Sequence, residues 1–450
     1  VALRAAEESR TEAELAEQRS AASAGLMRRA LAAATGPTTS KEILLSAVKI
    51  ADTKYESDPA TRAQLQFELA SLLIPRGERA TATRLLESAI KAANQAGRTD
   101  LAAAARCFRS SVSAREGDRK AAIAELDEVI DALERRGFTM DGTLAECLRS
   151  RAFVRRDIGA PVDAIESDAR KALSHIGARP QDIIPRAHLF SALAHVASAR
   201  GGYEEAINGY RQSLSMLEAA GDSDLQIAST IRVSLSVAYS DAGRPADAFV
   251  GAQEPFDRAV ANQVSYGTAP VINYAALLSR LGRLDAAKSI FDKAVADARS
   301  SGSKPPLAYA LAGAARTACS GGDAQRCLTL ATEAQAIFAS ILNPQHATHA
   351  SVATTLGWAH LQLGSYAEAS RYLSDAVRRF RVSEDATVRM VQPLVLLAET
   401  RTAQGDLVAA RVTANEALSI AKRALGGLGH TEWMGLSLLS LAKLERASGD

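Results

Sequence analysis

The chain has 450 residues, 53 basic side chains against 51 acidic ones, and 5% aromatics. This balance supplies no electrostatic footprint for nucleic acid or an anionic membrane surface, and no apolar run approaches the roughly 18 to 20 residues that cross a bilayer as a helix. Alanine is abundant and runs of Val, Ile and Thr are short, so helix propensity outweighs strand propensity and predicts an all-α protein.

Residues 1 to 34 form a charge-rich, helix-prone stretch with too few large apolar side chains for a core face, and Gly36-Pro37 ends it. Thr39-Ser40-Lys41-Glu42 reads as a capping box that opens a helix over Ile43 to Tyr55, the second half of a hairpin. From there a glycine recurs at Gly77, Gly117, Gly159, Gly201, Gly243, Gly282, Gly322, Gly364 and Gly405, at intervals of 40, 42, 42, 42, 39, 40, 42 and 41. A period held over this many copies predicts a repeat architecture. The chain begins at Val1 rather than Met and ends at Gly449-Asp450, in register with another turn, so it reads as an array cut at a repeat boundary. The expected division is a charged N-terminal helix and linker over 1–36, then an array of about nine helical hairpins with partial terminal units over 37–450.

Two further positions repeat with the glycine. Seven residues before it stand Ala70, Ser110, Ala152, Ala194, Ser236, Ala275, Ala315, Gly357 and Ala398; five after it stand Ala82, Ala122, Ala164, Ala206, Ala248, Ala287, Cys327, Ala369 and Ala410. All are small. Helices packed at the short end of the 8–10 Å range leave no room for a leucine at the contact, and the glycine supplies a turn conformation that other residues strain to adopt. Each unit therefore reads as a helix, a tight turn and an antiparallel second helix, an arrangement that HEAT or armadillo repeats would also give. Helix starts are expected at Asp58-Pro59, Pro180, Pro270, Pro305-Pro306 and Asn343-Pro344. Twelve residues after the glycine, Ala89, Ala294, Ala334, Ala376 and Ala417 give way elsewhere to Val129, Lys171, Ser213 and Pro255. The proline predicts a break or kink and irregular stacking around Gly251 to Phe256.

Leu356-Gly357, Gly364-Ser365-Tyr366, Ala369 and Ala376-Val377, echoed by Gly201-Gly202-Tyr203-Glu204-Glu205-Ala206 and Leu281-Gly282-Arg283-Leu284-Asp285-Ala286-Ala287, resemble a tetratricopeptide repeat (TPR) array of the long-repeat, kinesin-light-chain-like type. Asn343-Pro344-Gln345-His346 and Gly427-Leu428-Gly429-His430 are similar to the linker of such repeats. The resemblance covers about residues 41 to 450 and implies an α-solenoid, a right-handed superhelix of antiparallel helix pairs whose inner surface is lined mainly by first helices. The charged helix leading through Gly36-Pro37 to Thr39-Ser40-Lys41-Glu42-Ile43-Leu44-Leu45 is similar to the segment that joins the membrane helix to the TPR region of bacterial serine/threonine kinases. A solvated helix capping the first unit is the alternative reading of that stretch.

No GxxxxGK, GxGxxG after a strand, GxSxG or HExxH pattern occurs, so no enzyme, cofactor or metal is expected. His346 and His349 share a helix face without a third ligand. His188 and His195, seven apart, share another, with partner contact or pH sensing set against ordinary groove lining. Glu204-Glu205 reads as a solvated turn. Cys107, Cys147, Cys319 and Cys327 have neither CxxC nor paired-His spacing and read as buried free thiols, one bridge or a reactive cysteine being the alternative.

In a TPR-like array the residues ten and six before each glycine face the groove. They include Ser191 and His195, Val233 and Val237, Ile272 and Ala276, Ala312 and Arg316, and Thr354 and Trp358. The Lys and Asn with which TPR modules grip acidic chaperone tails are missing from these offsets. The expected partner-binding groove is His188, His195, Val233, Val237, Ile272, Arg316, Thr354, Trp358 and Gln362, an apolar floor with polar and aromatic anchors that suits a protein or peptide segment. Trp358 is the foremost anchor, since no apolar partner for it stands out in the sequence. The reading is a non-enzymatic protein- or peptide-binding scaffold, the sensor or docking region of a larger bacterial signalling protein with a membrane kinase as parent. It has no nucleic-acid partner and inserts no segment of its own into a membrane. It is periplasmic or otherwise extracytoplasmic if the kinase resemblance holds and cytoplasmic otherwise. A ligand- or peptide-responsive effector domain of a transcription regulator, and an enzyme fused to TPRs outside this chain, are the other readings.

Overall fold

The structure, a computed structural model, describes residue 25 and residues 40–74, 78–116, 119–135, 142–177, 182–220, 226–261, 269–382, 388–425 and 431–448. The charged stretch over 1–36, Thr39 of the expected capping box, Gly77, Gly117, Pro180 and the Gly426–Gly429 run lie outside those residues, residue 25 apart. The described residues form helices of 12 to 19 residues and no strand. They are α1 (Ser40–Lys54), α2 (Pro59–Leu73), α3 (Arg79–Gln95), α4 (Thr99–Glu116), α5 (Arg119–Arg135), α6 (Gly142–Asp157), α7 (Val162–His175), α8 (Ile183–Ala199), α9 (Tyr203–Ala219), α10 (Gln226–Asp241), α11 (Pro245–Ala261), α12 (Ala269–Arg280), α13 (Leu284–Ser300), α14 (Lys304–Ser320), α15 (Ala324–Ile341), α16 (Ala347–Gln362), α17 (Tyr366–Val382), α18 (Val391–Ala403), α19 (Leu407–Leu425) and α20 (Glu432–Ser448).

Each reference glycine within the described residues adopts positive φ, from 68° at Gly159 to 82° at Gly201, the left-handed conformation that costs a side-chain-bearing residue most. The backbone N–H that follows it closes back on the carbonyl five residues earlier: Arg283 to Leu278 at 2.9 Å, Asp323 to Ala318 at 2.9 Å, Ser365 to His360 at 2.9 Å. This bond satisfies carbonyls that the end of the first helix would leave open. The chain reverses within three residues and starts the second helix. Asp58 caps α2 by accepting from the Thr61 N–H at 3.1 Å, with Pro59 in the first turn. The Asn343-Pro344 signal is displaced: α16 begins after His346, whose Nδ1 accepts from the Thr348 N–H, and Asn343 makes a turn of its own by accepting from Gln345.

Of the eighteen small positions all but Ala164 are buried. A Cβ on Gly357 would stand 2.5 Å from Leu373 Cγ, and one on Gly313 2.2 Å from a Phe291 ring carbon. Ser110 and Ser236, the two hydroxyl-bearing members, satisfy their hydroxyls by donating to Glu125 at 2.6 Å and to the Ala248 carbonyl at 2.7 Å. Twelve after the glycine, the described Val129, Ser213 and Pro255 are as buried as the alanines, whereas Lys171 on α7 is exposed and pairs with Glu134 at 2.5 Å. The expected break at Pro255 does not occur: α11 runs unbroken from Pro245 to Ala261. Pro255 would crowd the carbonyl four residues back, and there stands Gly251, with open space where its Cβ would be.

The helices divide into two compact units, Val1–Asp157 with Ala164–Leu189, and Ile158–Asp163 with Phe190–Asp450. The core of the first includes Leu44, Leu65, Leu69, Leu73, Leu85 and Leu86. It also holds a buried ion cluster, in which Asp168 accepts from Arg151 at 2.7 and 3.0 Å and from Arg155 at 2.7 Å. Burial works against the Arg151 charge, yet Asp168 and Asp127 hold its pKa above the ordinary value. The second core is built around Leu311, Phe338 and Leu356, with Phe291 and Phe380 also fully enclosed; each such side chain contributes roughly 1.5–3 kcal/mol by leaving water.

The expectation of buried free thiols is overturned. Cys107 on α4 is bonded to Cys147 on α6, and Cys319 on α14 to Cys327 on α15, with Cα separations of 5.1 and 5.2 Å. Spacing alone hid both. The first pair occupies neighbouring first helices, and the second replaces an alanine at the close-contact position, so it is the packing that brings these Cα atoms within bridging range.

Two outcomes follow. Gly357→Val lowers the unfolding free energy, read from the urea midpoint, by about 1–3 kcal/mol, since Leu373 has to move. In denaturant none of the four cysteines reacts with a thiol reagent until reductant is added. Chain-entropy arithmetic then assigns about 4 kcal/mol to the bridge spanning 40 residues and about 2.5 kcal/mol to the one spanning 8.

Candidate functional site

The second unit closes on itself. The turn after α10, Asp241 to Arg244, meets the single-turn helix Val388–Met390 and the start of α20. Trp433 Nε1 donates to the Asp241 carbonyl at 2.8 Å, the Glu432 N–H reaches the Gly243 carbonyl at 3.4 Å, and Arg389 donates to the Asp241 carboxylate at 2.8 Å. Arg280, at the end of α12, pairs with Glu432, donates to the Ser240 hydroxyl and lies 5.0 Å from the Trp433 ring centre. Apart from the Arg280–Ser240 bond, they join residues 148 to 192 positions apart. Gly243 is held by two constraints: its φ is +73°, and a Cβ there would stand 2.7 Å from the Thr431 Cβ. The seam admits no side chain at that point.

Arg316, on α14, behaves differently from the seam arginines. Its side chain is exposed to solvent, and no carboxylate or hydrogen-bond acceptor contacts it among the described residues. Burial nevertheless pushes the guanidinium below its ordinary pKa, and the like charges of Arg280 and Arg389 add to the effect. Arginine stays protonated at neutral pH even so.

The other expected groove residues have distinct surroundings. His188 falls in the first unit, where its Nδ1 accepts from Arg149 at 2.7 Å and its ring meets Phe153 edge to face. His195 falls in the second unit and is half-buried, as are Val233, Val237 and Ile272. Thr354 is buried and spends its hydroxyl on the Ala350 carbonyl at 2.9 Å. Gln362 is exposed and bonds the Cys319 carbonyl at 2.8 Å. Trp358, expected to lack apolar partners, packs against two core clusters, one containing Leu356 and Phe338 and the other Leu373 and Leu397. Glu204 and Glu205, expected in a turn, stand exposed in the first turn of α9, where carboxylates suit the helix dipole.

Sequence reasoning missed Asp241, Arg280, Arg389, Glu432 and Trp433. None sits at an inward offset, and no local pattern announces a contact across 148 positions or more. Among the described residues no group of three or more His, Cys, Asp or Glu side chains is placed to hold a metal, and no helix is long and apolar enough to cross a membrane.

Gly243→Ala is expected to loosen the seam. Hydrogen exchange at Glu432 and Trp433 should then quicken, with about 1–3 kcal/mol lost from the local opening free energy, while exchange in the core of α2 and α3 stays unchanged.

Residues 307–381, the hairpins α14–α15 and α16–α17, match the tetratricopeptide repeat family. No curated protein matches the chain. Among solved structures, a Rap protein complexed with competence and sporulation factor is similar at 14% identity over 78% of this chain and 99% of its own, with a TM-score of 0.53. NprR in complex with its cognate peptide NprX is similar at 11% identity over 76% of this chain and 99% of its own, TM-score 0.49. The TPR-like repeats of a putative kinesin light chain from Podosopora anserina are similar at 18% identity over 44% and 95%, TM-score 0.35. At these identities the likeness bears on fold alone. The chain is a TPR-like α-solenoid that carries a tetratricopeptide match in its α14 to α17 hairpins.

Proposed function

We propose that the chain is a non-enzymatic scaffold that binds a protein or peptide segment in the groove of its second unit, as the docking or sensor region of a larger bacterial signalling protein. One observation carries the reading. At the inward offsets the half-buried Val233, Val237 and Ile272 leave apolar surface in reach of solvent, and another inward offset carries the exposed Arg316. An apolar floor with a polar anchor is what an extended segment needs: burial supplies affinity and the anchor fixes register. A Rap protein has been solved with competence and sporulation factor and NprR with its cognate peptide, and the Rap likeness, at the level of fold, is compatible with the same use here.

The parent we propose is a membrane serine/threonine kinase, with this array outside the cytoplasm. The two disulfides favour it over a cytoplasmic transcription regulator, because thiol pools in the cytosol keep such cysteines reduced. Recovery of the four cysteines as thiols from rapidly alkylated cells would shift the choice to the regulator.

The groove is tested by peptide display against the immobilised chain. Val237→Glu and Ile272→Glu should weaken captured peptides by about tenfold or more with the thermal midpoint nearly kept. Trp358→Ala should mainly lower stability, by roughly 3 kcal/mol. If both glutamate variants capture peptides as the parent chain does, binding lies elsewhere; if the chain captures none, the groove reading falls.

A further inference from the structure

One face of α20 is open where the first helices before it are covered. In α14, Ala308, Leu311 and Ala315 share a buried core with Cys327, Ala331 and Ala334 of its hairpin partner α15. Counted from Gly449 as the turn, their counterparts in α20 are Gly435, Leu438 and Ala442. All three are exposed, with Leu439 beside them, and the two leucines keep 51% and 53% of their surface in water. A Cβ on Gly435 would meet nothing within 4 Å, whereas one on Gly357 of α16 would strike Leu373 of the hairpin partner α17. Trp433, Ser437, Ser440 and Leu444 are buried half a helical turn away and hold the other side of α20 against the unit.

The open strip carries its own complement. Gly435-Leu436-Ser437-Leu438-Leu439-Ser440-Leu441-Ala442 reads nearly the same in both directions. The second helix α17 packs through a small residue, a leucine four positions on and a small residue three further, Ala369, Leu373 and Ala376, and Gly435, Leu439 and Ala442 repeat that spacing. The first helix α14 packs through the reverse spacing, which Gly435, Leu438 and Ala442 repeat. Thus α20 presents both halves of a hairpin contact on one face. Laid antiparallel on a second α20 and crossed between Leu438 and Leu439, it sets each Gly435 opposite Ala442 of the second copy and gathers the leucines at the axis. Use of the same patch by both copies is what a two-fold contact requires. The charges agree with this crossing. Helical spacing puts Arg446 and Glu432 on one edge of the strip, and the antiparallel alignment brings the exposed Arg446 alongside Glu432 of the second copy, a carboxylate that keeps 30% of its side chain in water beside Arg280.

We infer that α20 is a homodimerisation helix, which docks antiparallel on the α20 of a second copy of this chain and gives it the cover that a second helix gives in the hairpins before it. The inference stands apart from the peptide-binding reading and uses none of the groove residues. A contact made by one helix face falls short of the roughly 800 Å² per partner of a standard interface, so the dimer is expected to be reversible on dilution.

The test is sedimentation of the 450-residue chain with its disulfides intact, between about 1 and about 200 μM. The parent should pass from monomer to dimer across that range. Leu438→Glu should weaken the dimer by about tenfold or more, because it sets two like charges at the axis. The thermal midpoint of the dilute monomer should not change, since Leu438 is exposed there; a marked fall would make Leu438 a structural residue and overturn the assignment. Cross-linking gives a second measurement. All four native cysteines are bridged, so an added thiol reports proximity. A mixture of Gly435→Cys and Ala442→Cys chains should join to each other in preference to themselves under mild oxidation, while Ala447→Cys, away from the strip, should stay monomeric. A parent chain that is monomeric throughout, which leaves the face to a helix of another protein, overturns the inference. So does a dimer that Leu438→Glu does not weaken, or cross-linking without the preference of position 435 for position 442.

Discussion

Close approach of helix backbones is the constraint on which this molecule depends. At Gly357 the neighbouring Leu373 leaves no space for even a methyl group, and at Gly313 the Phe291 ring does the same. Small residues at two fixed offsets from each turn glycine let every hairpin reach its neighbour at a similar distance, and stacking buries a face that no hairpin could bury alone. Where both offsets and the +12 position are kept, as from α12 to α17, large aromatic side chains such as Phe291, Phe338 and Phe380 fill what remains. The α7 helix, with a half-buried Ala164 and an exposed Lys171, departs most from the pattern, and one boundary between the two compact units falls within its first turn.

The closure of the second unit adds a demand that stacking does not make. Gly243 first serves a hairpin turn, as its counterparts do, and then lies against Thr431 and Trp433 from the far end of the same unit. Its neighbours turn the seam into a polar junction, with Trp433 and Arg389 both bonding to Asp241 and Arg280 to Glu432. These pairs keep part of their surface in water, Arg389 at 39% and Glu432 at 30% exposure, and ion pairs so placed contribute little net stability. What they supply is direction, since each bond joins one donor on one end of the unit to one acceptor on the other.

The two disulfides bear on the same geometry in different ways. Cys107–Cys147 links first helices of consecutive hairpins in the first unit, whereas Cys319–Cys327 fastens the two helices of one hairpin in the second, beside Arg316. The first closes a long segment of chain and restrains the unfolded state more. The second closes a short one, and its consequence is local: it limits how far α14 can move relative to α15.

How much was legible in the sequence follows from the range of the interactions. The turn glycines and small offsets could be read because a repeated steric demand leaves the same residue at the same place in every copy. Helix pairing, turn positions and the burial of Ala206, Ala287 and Ala369 follow from that period alone. Arg316, His195, Val233, Val237 and Ile272 could be named by offset, but their surroundings could not, and Trp358 was taken for a free anchor because its partners come from neighbouring helices. Both disulfides, the unbroken helix at Pro255 and the seam of Asp241, Arg280, Arg389, Glu432 and Trp433 were decided only by tertiary structure. Each depends on where residues from separate hairpins arrive in space, a position that accumulates over many small rotations from one repeat to the next and leaves no periodic mark on the chain.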